Sequence, residues 1–212
     1  MLLGLGAGGA LFVVYRLARG RLRRAAAPAR FATEAVLVVD LVESTRLAAH
    51  YGDGAAMRGR LLLRELARAE GEKRGLVFAE STGDGCLMTF ATVREAVETA
   101  RALLAALARQ SSDADPPLAM RAAITYGEVL LDEGGGRHGT VLNKAFRLDG
   151  LTEDQLVDVG AETSVRPFPR QNRLLLDEEA ARESEPSEIA VQPVGFCRLK
   201  GLSGLHRVYE AV

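Results

Sequence analysis

Tryptophan is absent from this 212-residue sequence, and cysteine occurs only twice. Cys86 and Cys197 lie far apart, with no CxxC pair and no histidine at ligand spacing, so neither a disulfide framework nor a zinc site finds support. A reducing, cytoplasmic setting fits such usage. An excess of charge is also missing: 27 basic against 28 acidic residues leave a net charge of -1. That balance argues against a generally basic nucleic-acid binder, and no nucleic-acid partner is expected. Only Lys73, Lys144 and Lys200 are lysines. With 48% hydrophobic and 26% charged residues the chain is not a disordered polyelectrolyte and has enough apolar side chains for a core. Its length suits one compact domain with a short extension and is too short for two full domains. No internal repeat is visible.

Charge is missing locally from Met1 to Tyr15, and Arg16, Arg19, Arg21, Arg23, Arg24 and Arg30 follow at once. A membrane span normally takes ~20 apolar residues, so this run is short, and snorkelling by Arg16 and Arg19 would extend it. A secretory signal places its positive charge before the apolar stretch. Here the order is reversed, and arginines after the run keep the following chain on the cytoplasmic side. The expected organisation is a membrane anchor at 1–15, a basic linker at 16–33 and a folded domain at 34–212. The anchor would be single-pass in the inner (cytoplasmic) membrane, with the domain in the cytoplasm. A soluble amphipathic leader is the alternative, and the GxxxG formed by Gly4 and Gly8 suits helix pairing in a membrane.

From about Phe31 onward strands and helices alternate. Ala35 to Val39 is a short, β-branched apolar strand ended by Asp40, and Ser44-Thr45 reads as a helix cap. Tyr51-Gly52-Asp53-Gly54 interrupts that helix, which resumes over Ala55 to Glu70 with Met57, Leu61, Leu62 and Leu66 on one face. Leu76 to Glu80 and Cys86 to Phe90 form a hairpin through Gly83-Asp84-Gly85. A helix spans Val93 to Arg109, with Glu95 and Glu98 early and Arg109 late as the helix dipole prefers. Strands follow at Met120 to Thr125 and Glu128 to Leu131, then a glycine-rich turn and a helix from about Leu142 to Leu151. Thr152 to Asn172 shows little clear structure. A strand at Arg173 to Leu176, a short acidic helix from Asp177 and a hairpin of Phe196 to Lys200 with His206 to Val212 complete the chain. The pattern predicts an α+β sandwich with helices on one face of a mainly antiparallel sheet.

Two carboxylates punctuate this pattern. Asp40 closes a strand and Asp84 tips a hairpin, so neighbouring strands would bring both to one point. Two hard anionic ligands suit Mg²⁺ or Mn²⁺, which keep water and phosphate oxygens as their other ligands. Taken singly, each aspartate reads as a cap or turn residue, since Asp-Gly is a routine hairpin turn. Asn143 and Arg147 are four apart, hence on one helix face. There an arginine fork suits a phosphate and an asparagine a ribose, whereas a solvated helix face is the plain alternative.

In conjunction these elements make the sequence resemble the catalytic domain of class III adenylate and guanylate cyclases. Val38-Val39-Asp40-Leu41-Val42-Glu43-Ser44-Thr45 resembles the family's first metal motif, and Ser81-Thr82-Gly83-Asp84-Gly85 followed by Phe90 the second. Arg121-Ala122-Ala123-Ile124-Thr125-Tyr126-Gly127-Glu128-Val129 is similar to the central strand motif. Gly139 through Asn143-x-Ala145-x-Arg147 is similar to the transition-state motif, and Leu199-Lys200-Gly201 to the C-terminal hairpin. The resemblance covers about Ala35 to Val212. It implies a ferredoxin-like class III nucleotide cyclase fold for 34–212, a mainly antiparallel sheet with helices packed on it. It further implies that a nucleoside triphosphate is converted to a 3′,5′-cyclic nucleotide and pyrophosphate. Asp40, Asp84 and the Leu41 backbone would hold two Mg²⁺ or Mn²⁺ ions per site. Asn143 would position the ribose, Arg147 would neutralise the α-phosphoryl group, and Lys200 would hold the β- and γ-phosphates. Family architecture divides each site between protomers, which implies a head-to-tail homodimer and an inactive monomer.

Base selection departs from the adenylate pattern. Adenylate cyclases of the family carry Lys where this chain has Glu80, four residues before Asp84, and guanylate cyclases carry Glu. A carboxylate accepts from N1 and N2 of guanine and offers adenine N1 no donor. The second selecting position, Asp in adenylate and commonly Cys in guanylate cyclases, is Gly136 here. GTP is therefore expected first, with ATP or a pyrimidine triphosphate open. Glu80 is expected to face the nucleobase, partly desolvated. A noncatalytic nucleotide-binding or dimerisation module on the same fold is the alternative, motivated by Glu80 and Gly136. A diguanylate cyclase would need a different turn from Thr82-Gly83-Asp84-Gly85-Cys86.

Overall fold

The computed structural model describes residues 29–111, 118–159, 167–185 and 188–212. The expected anchor and most of the expected linker fall outside the described residues.

The sheet is organised around β1 (Arg30–Leu41), a 12-residue strand that starts inside the stretch expected to be linker. Its run Ala35 to Val39 is at most 2% exposed, so it is covered on both faces. That explains a continuous apolar run where a one-sided strand would alternate. β1 is paired antiparallel with β3 (Gly85–Phe90) on one side and with β4 (Met120–Leu131) on the other. β2 (Leu76–Ser81) lies outside β3, and β7 (Arg173–Asp177), β9 (His206–Ala211) and β8 (Val191–Cys197) continue beyond β4. The short β5 (Arg137–His138) adds to β4, and β6 (Leu156–Val157) adds to β8. Every pairing is antiparallel except that of β4 with β7.

Five helices follow among the described residues: α1 (Ser44–Tyr51), α2 (Asp53–Glu72), α3 (Val93–Ser111), α4 (Thr140–Asp149) and α5 (Glu178–Ser184). Gly52, at φ 82°, separates α1 from α2. Helices α2 and α3 cover one face of the sheet, where Leu63, Ala67, Val97 and Leu103 meet Leu37, Val39 and Leu41. The opposite face is covered by α4, whose Leu142 and Ala145 meet Val36, Val38 and Leu87. The α+β class and the mainly antiparallel sheet are as expected, but helices lie on both faces, because both faces of β1 are apolar.

Other expectations are corrected by packing. The strands expected at Met120 and Glu128 are one strand, since β1 is long enough to pair with all of β4. The buried stripe of α2 is Ala56, Gly59, Leu63 and Ala67, whereas Met57 and Leu61 are 53% and 47% exposed. Ser44 and Thr45 begin α1 and do not cap it: the cap position is Glu43, in the left-handed region at φ 52°. Within the stretch read as unstructured, a 3₁₀ turn (Glu153–Gln155) precedes β6 and Phe168 is buried, while 160–166 lie outside the described residues.

Candidate active site

Strand register brings the two aspartates together. Asp40 stands opposite Gly85 across the β1–β3 ladder, so the turn residue Asp84 lies beside the end of β1. Gly85 makes this approach possible, because a Cβ there would collide with the Val39 carbonyl oxygen. The Ser44 hydroxyl, one turn into the segment after β1, donates to Asp84 Oδ2. From α2, Arg64 donates to the Gly83 carbonyl and holds the same turn.

Charge at this corner is unevenly shared. Burial pushes the Asp40 carboxyl up, the Arg121 hydrogen bond opposes it, and the adjacent Asp84 charge adds to the rise. Burial also acts to raise Asp84, but hydrogen bonds from Ser44, Asp40 and a backbone N–H, with the Arg60 charge, hold it below the usual range. Two neighbouring carboxylates cannot both ionise freely without added positive charge. Two hard oxygen ligands and a local need for cation charge fit Mg²⁺ or Mn²⁺, which would fill the remaining positions with water and phosphate oxygens. No cluster of three or more His, Cys, Asp or Glu side chains with metal-holding geometry occurs among the described residues. Leu41 follows Asp40 with its side chain buried, so only its backbone is available to a ligand.

Sequence reasoning placed Arg121 in a strand motif without a task. It stands directly opposite Asp40 in the β1–β4 ladder, and its Nη2 donates to Asp40 Oδ2 at 2.6 Å. Its Nε lies 3.9 Å from Oδ2 of Asp149, the last residue of α4. Asp149 is 5% exposed, and burial pushes its carboxyl to about 7 against the attraction of Arg121. The Asp149 and Leu151 carbonyls accept from Arg173 Nη2 at 2.6 and 2.8 Å. The strand-end position of Asp40 was the available signal: its cross-strand neighbour is the first residue able to share its charge. Asp149 could not be found that way, since its proximity depends on how α4 crosses the sheet.

Asn143 and Arg147 project together from the exposed side of α4. Leu142, Ala145 and Leu148 face the sheet, which turns positions 143 and 147 outward. Between them Lys144 anchors the helix, with Nζ 2.7 Å from Asp177 Oδ2 and 2.5 Å from Glu179 Oε2. Arg147 and Lys200 line one cleft of about 160 Å³ together with Arg198, Gln155 and Phe146. Among the described residues, no hydrogen bond or ion pair joins Asn143 or Arg147 to Asp40 or Asp84.

Glu80 and Gly136 are the two positions expected to select the base. Glu80 stands in β2 opposite Leu87, hence on the α4 side of the sheet, but it is exposed in the single chain and is not desolvated. Gly136 sits in a turn folded around Asp132, whose Oδ1 accepts from the N–H groups of Gly134 and Gly136 at 2.8 Å each. Oδ2 of Asp132 is 2.8 Å from His138 Nε2. A Cβ on Gly136 would lie 2.5 Å from Asp132 Oδ2, so the acidic group at this corner belongs to Asp132.

Comparison with solved structures identifies the fold. An adenylate/guanylate cyclase/hydrolase from Silicibacter pomeroyi superposes with a TM-score of 0.68 at 21% identity, over 87% of this chain and 98% of that one. The adenylyl cyclase CyaB from P. aeruginosa gives 0.71 at 18% identity, over 88% and 96%. The guanylate cyclase domain of RhGC from Catenaria anguillulae, in complex with GTP, gives 0.65 at 14% identity, over 86% and 98%. No protein-family model matches the sequence, and no curated protein does. The chain has the fold of class III adenylate/guanylate cyclase catalytic domains.

Proposed function

We propose that this protein is a nucleotide cyclase that converts a nucleoside triphosphate, GTP by preference, into a 3′,5′-cyclic nucleotide and pyrophosphate. The observation that carries this reading is the convergence of Asp40 and Asp84 at one end of β1, on a cyclase fold that also presents Asn143 and Arg147 outward. Each half is chemically incomplete alone. Among the described residues, no hydrogen bond or ion pair joins Asn143 or Arg147 to the carboxylate corner, and no acidic side chain lines the cleft beside Arg147. A homodimer that sets the α4 face of one chain against the carboxylate corner of its partner completes two equivalent sites.

Asp40 and Asp84, with the Leu41 backbone, would hold two divalent ions. Such ions supply a lowered pKa at the ribose 3′-hydroxyl and positive charge along the triphosphate. Asn143 orients the ribose so that its 3′-oxygen faces the α-phosphorus. As the 3′-hydroxyl gives up its proton to solvent water and its oxygen bonds to that phosphorus, the bond to the bridging oxygen breaks and Arg147 neutralises charge growing on the α-phosphoryl oxygens. Stabilisation confined to the transition state raises kcat. Lys200 holds the β- and γ-phosphates, which leave as pyrophosphate.

Base choice follows from donors and acceptors. Glu80 at the base edge favours guanine, which offers N1 and N2 protons, over adenine, which offers only its N6 amine. With no side chain at Gly136, discrimination falls below that of a site with two polar selectors, and use of a second nucleotide is expected. Residues 1–15 anchor the enzyme in the inner membrane with its catalytic domain in the cytoplasm, where triphosphates are available. Recovery of the full-length protein in the soluble fraction after a salt wash would refute that placement. The deciding experiment incubates the full-length protein with Mn²⁺ and each of ATP, GTP, CTP and UTP and identifies products by mass. Cyclic GMP as the main product supports the reading; no cyclic product from any of them leaves a noncatalytic nucleotide-binding module.

A further inference from the structure

Beyond the residues to which the cyclase reading assigns a task, the cleft beside α4 contains a third cation. Arg198 directly follows β8 by one residue and lines the same cleft as Arg147 and Lys200. Among the described residues, none of the three forms a hydrogen bond or an ion pair, although 26% of the sequence is charged and other exposed arginines find carboxylates. No acidic side chain lines the cleft. Its remaining polar side chain, Gln155, has Oε1 taken by the N–H and hydroxyl of Thr152, at 2.9 and 3.1 Å. The amide NH₂ of Gln155 is then the group left to offer, so every side-chain polar group turned to the cleft is a donor.

We propose that Arg198 is an oligophosphate-binding residue which, with Lys200 and beside Arg147, takes up the pyrophosphate end of the substrate and retains the leaving pyrophosphate. Like-charged side chains brought together without counter-charge repel one another, and an anion relieves that repulsion. The volume narrows the class of ligand. About 160 Å³ is well below the several hundred that a whole drug-sized or nucleotide-sized ligand occupies, and suits phosphate groups alone. A guanidinium adds what Lys200 lacks, a planar fork matched to two phosphate oxygens. Phe146 and Leu199 form the apolar part of the cleft wall. Assigning the anion as the leaving group rests on the cyclase reading above, whereas binding of an oligophosphate does not.

The test uses inorganic pyrophosphate as probe and the full-length chain, with binding measured by calorimetry in the absence of nucleotide. Arg198→Gln should weaken pyrophosphate binding about tenfold, the loss of one charge-assisted contact, with an unchanged melting temperature because the side chain is exposed. Arg198→Lys should recover part of the loss. In turnover, Arg198→Gln should raise the inhibition constant of pyrophosphate by a similar factor. Equal pyrophosphate affinity of Arg198→Gln and the unmodified protein overturns the proposal, as does no binding by the unmodified protein. The cyclase reading fails by a different result, no cyclic product from any triphosphate, and Arg198-dependent pyrophosphate binding would survive that failure.

Discussion

The corner that carries Asp40 and Asp84 and the face that carries Asn143 and Arg147 are built in opposite ways. In the first, each acidic group has partners inside the chain: Ser44 and Arg121 by hydrogen bond, and Arg60 by charge. In the second, Arg147, Arg198 and Lys200 stand exposed and unpaired among the described residues. Acidic side chains are held in place by the sheet that would present them to metal ions, whereas the cationic ones have no acidic side chain lining their cleft. On the function proposed above, neither region is a site by itself. Complementary potentials of this kind steer association and fix register between copies.

The comparison breaks most sharply at the carboxylates. Asp84→Ala should lower turnover by a factor on the order of 10³ or more, as expected for loss of a metal ligand, and leave the melting temperature within a few degrees because the side chain is part of a turn. Product formation and thermal melting of the same samples check both halves. On the opposite face, Arg147→Ala should cost about 10² to 10³ in kcat, the usual cost of removing a group that acts on transition-state charge. KM should move far less than kcat, which steady-state kinetics resolve.

A smaller effect distinguishes the internally paired corner from the exposed face by pH. The Asp149 carboxyl lies at about 7 in the folded chain because burial outweighs Arg121 and Arg173, with Asp40 and Asp84 adding to the rise. Unfolded, it titrates near 3.8. Between those values the folded state binds more protons than the unfolded one, so stability contributed by this group is present below about pH 4 and is lost as pH rises through 7. The slope approaches ~1.4 kcal/mol per pH unit at most. Asp149→Asn should flatten that decline in a series of melting curves, whereas Arg198→Gln should leave its shape unchanged. The smallest expected effect is Glu80→Lys, a several-fold shift of kcat/KM from GTP toward ATP, incomplete because Gly136 has no side chain to read the other edge.

Much of this arrangement could be read before any fold was known. The punctuation of strands by Asp40 and by Gly83-Asp84-Gly85 placed the carboxylate corner, since a hairpin tip and a strand end need only neighbouring register to meet. Four-residue spacing placed Asn143 and Arg147 on one helix face without any tertiary information. What escaped depends on contacts distant in sequence. That Met57 and Leu61 point outward follows from how α2 lies against β1, where Gly59 and Ala56 allow close approach and the larger side chains would not. The roles of Arg121 and Asp149 appear only once β4 is seen as a single strand aligned along β1 with α4 crossing both. Arg198 acquires meaning only from the hairpin that brings it beside α4.

Division of each site between two chains is the central claim, and complementation tests it most directly. Asp40→Ala and Arg147→Ala should each keep no more than about 1% of the unmodified activity alone. Mixed in equal amounts and allowed to exchange, they form heterodimers in which one of two sites draws Asp40 from one chain and Arg147 from the other. Random pairing then restores up to about a quarter of the unmodified activity. No recovery, with heterodimers demonstrated by cross-linking of differently tagged chains, would contradict it.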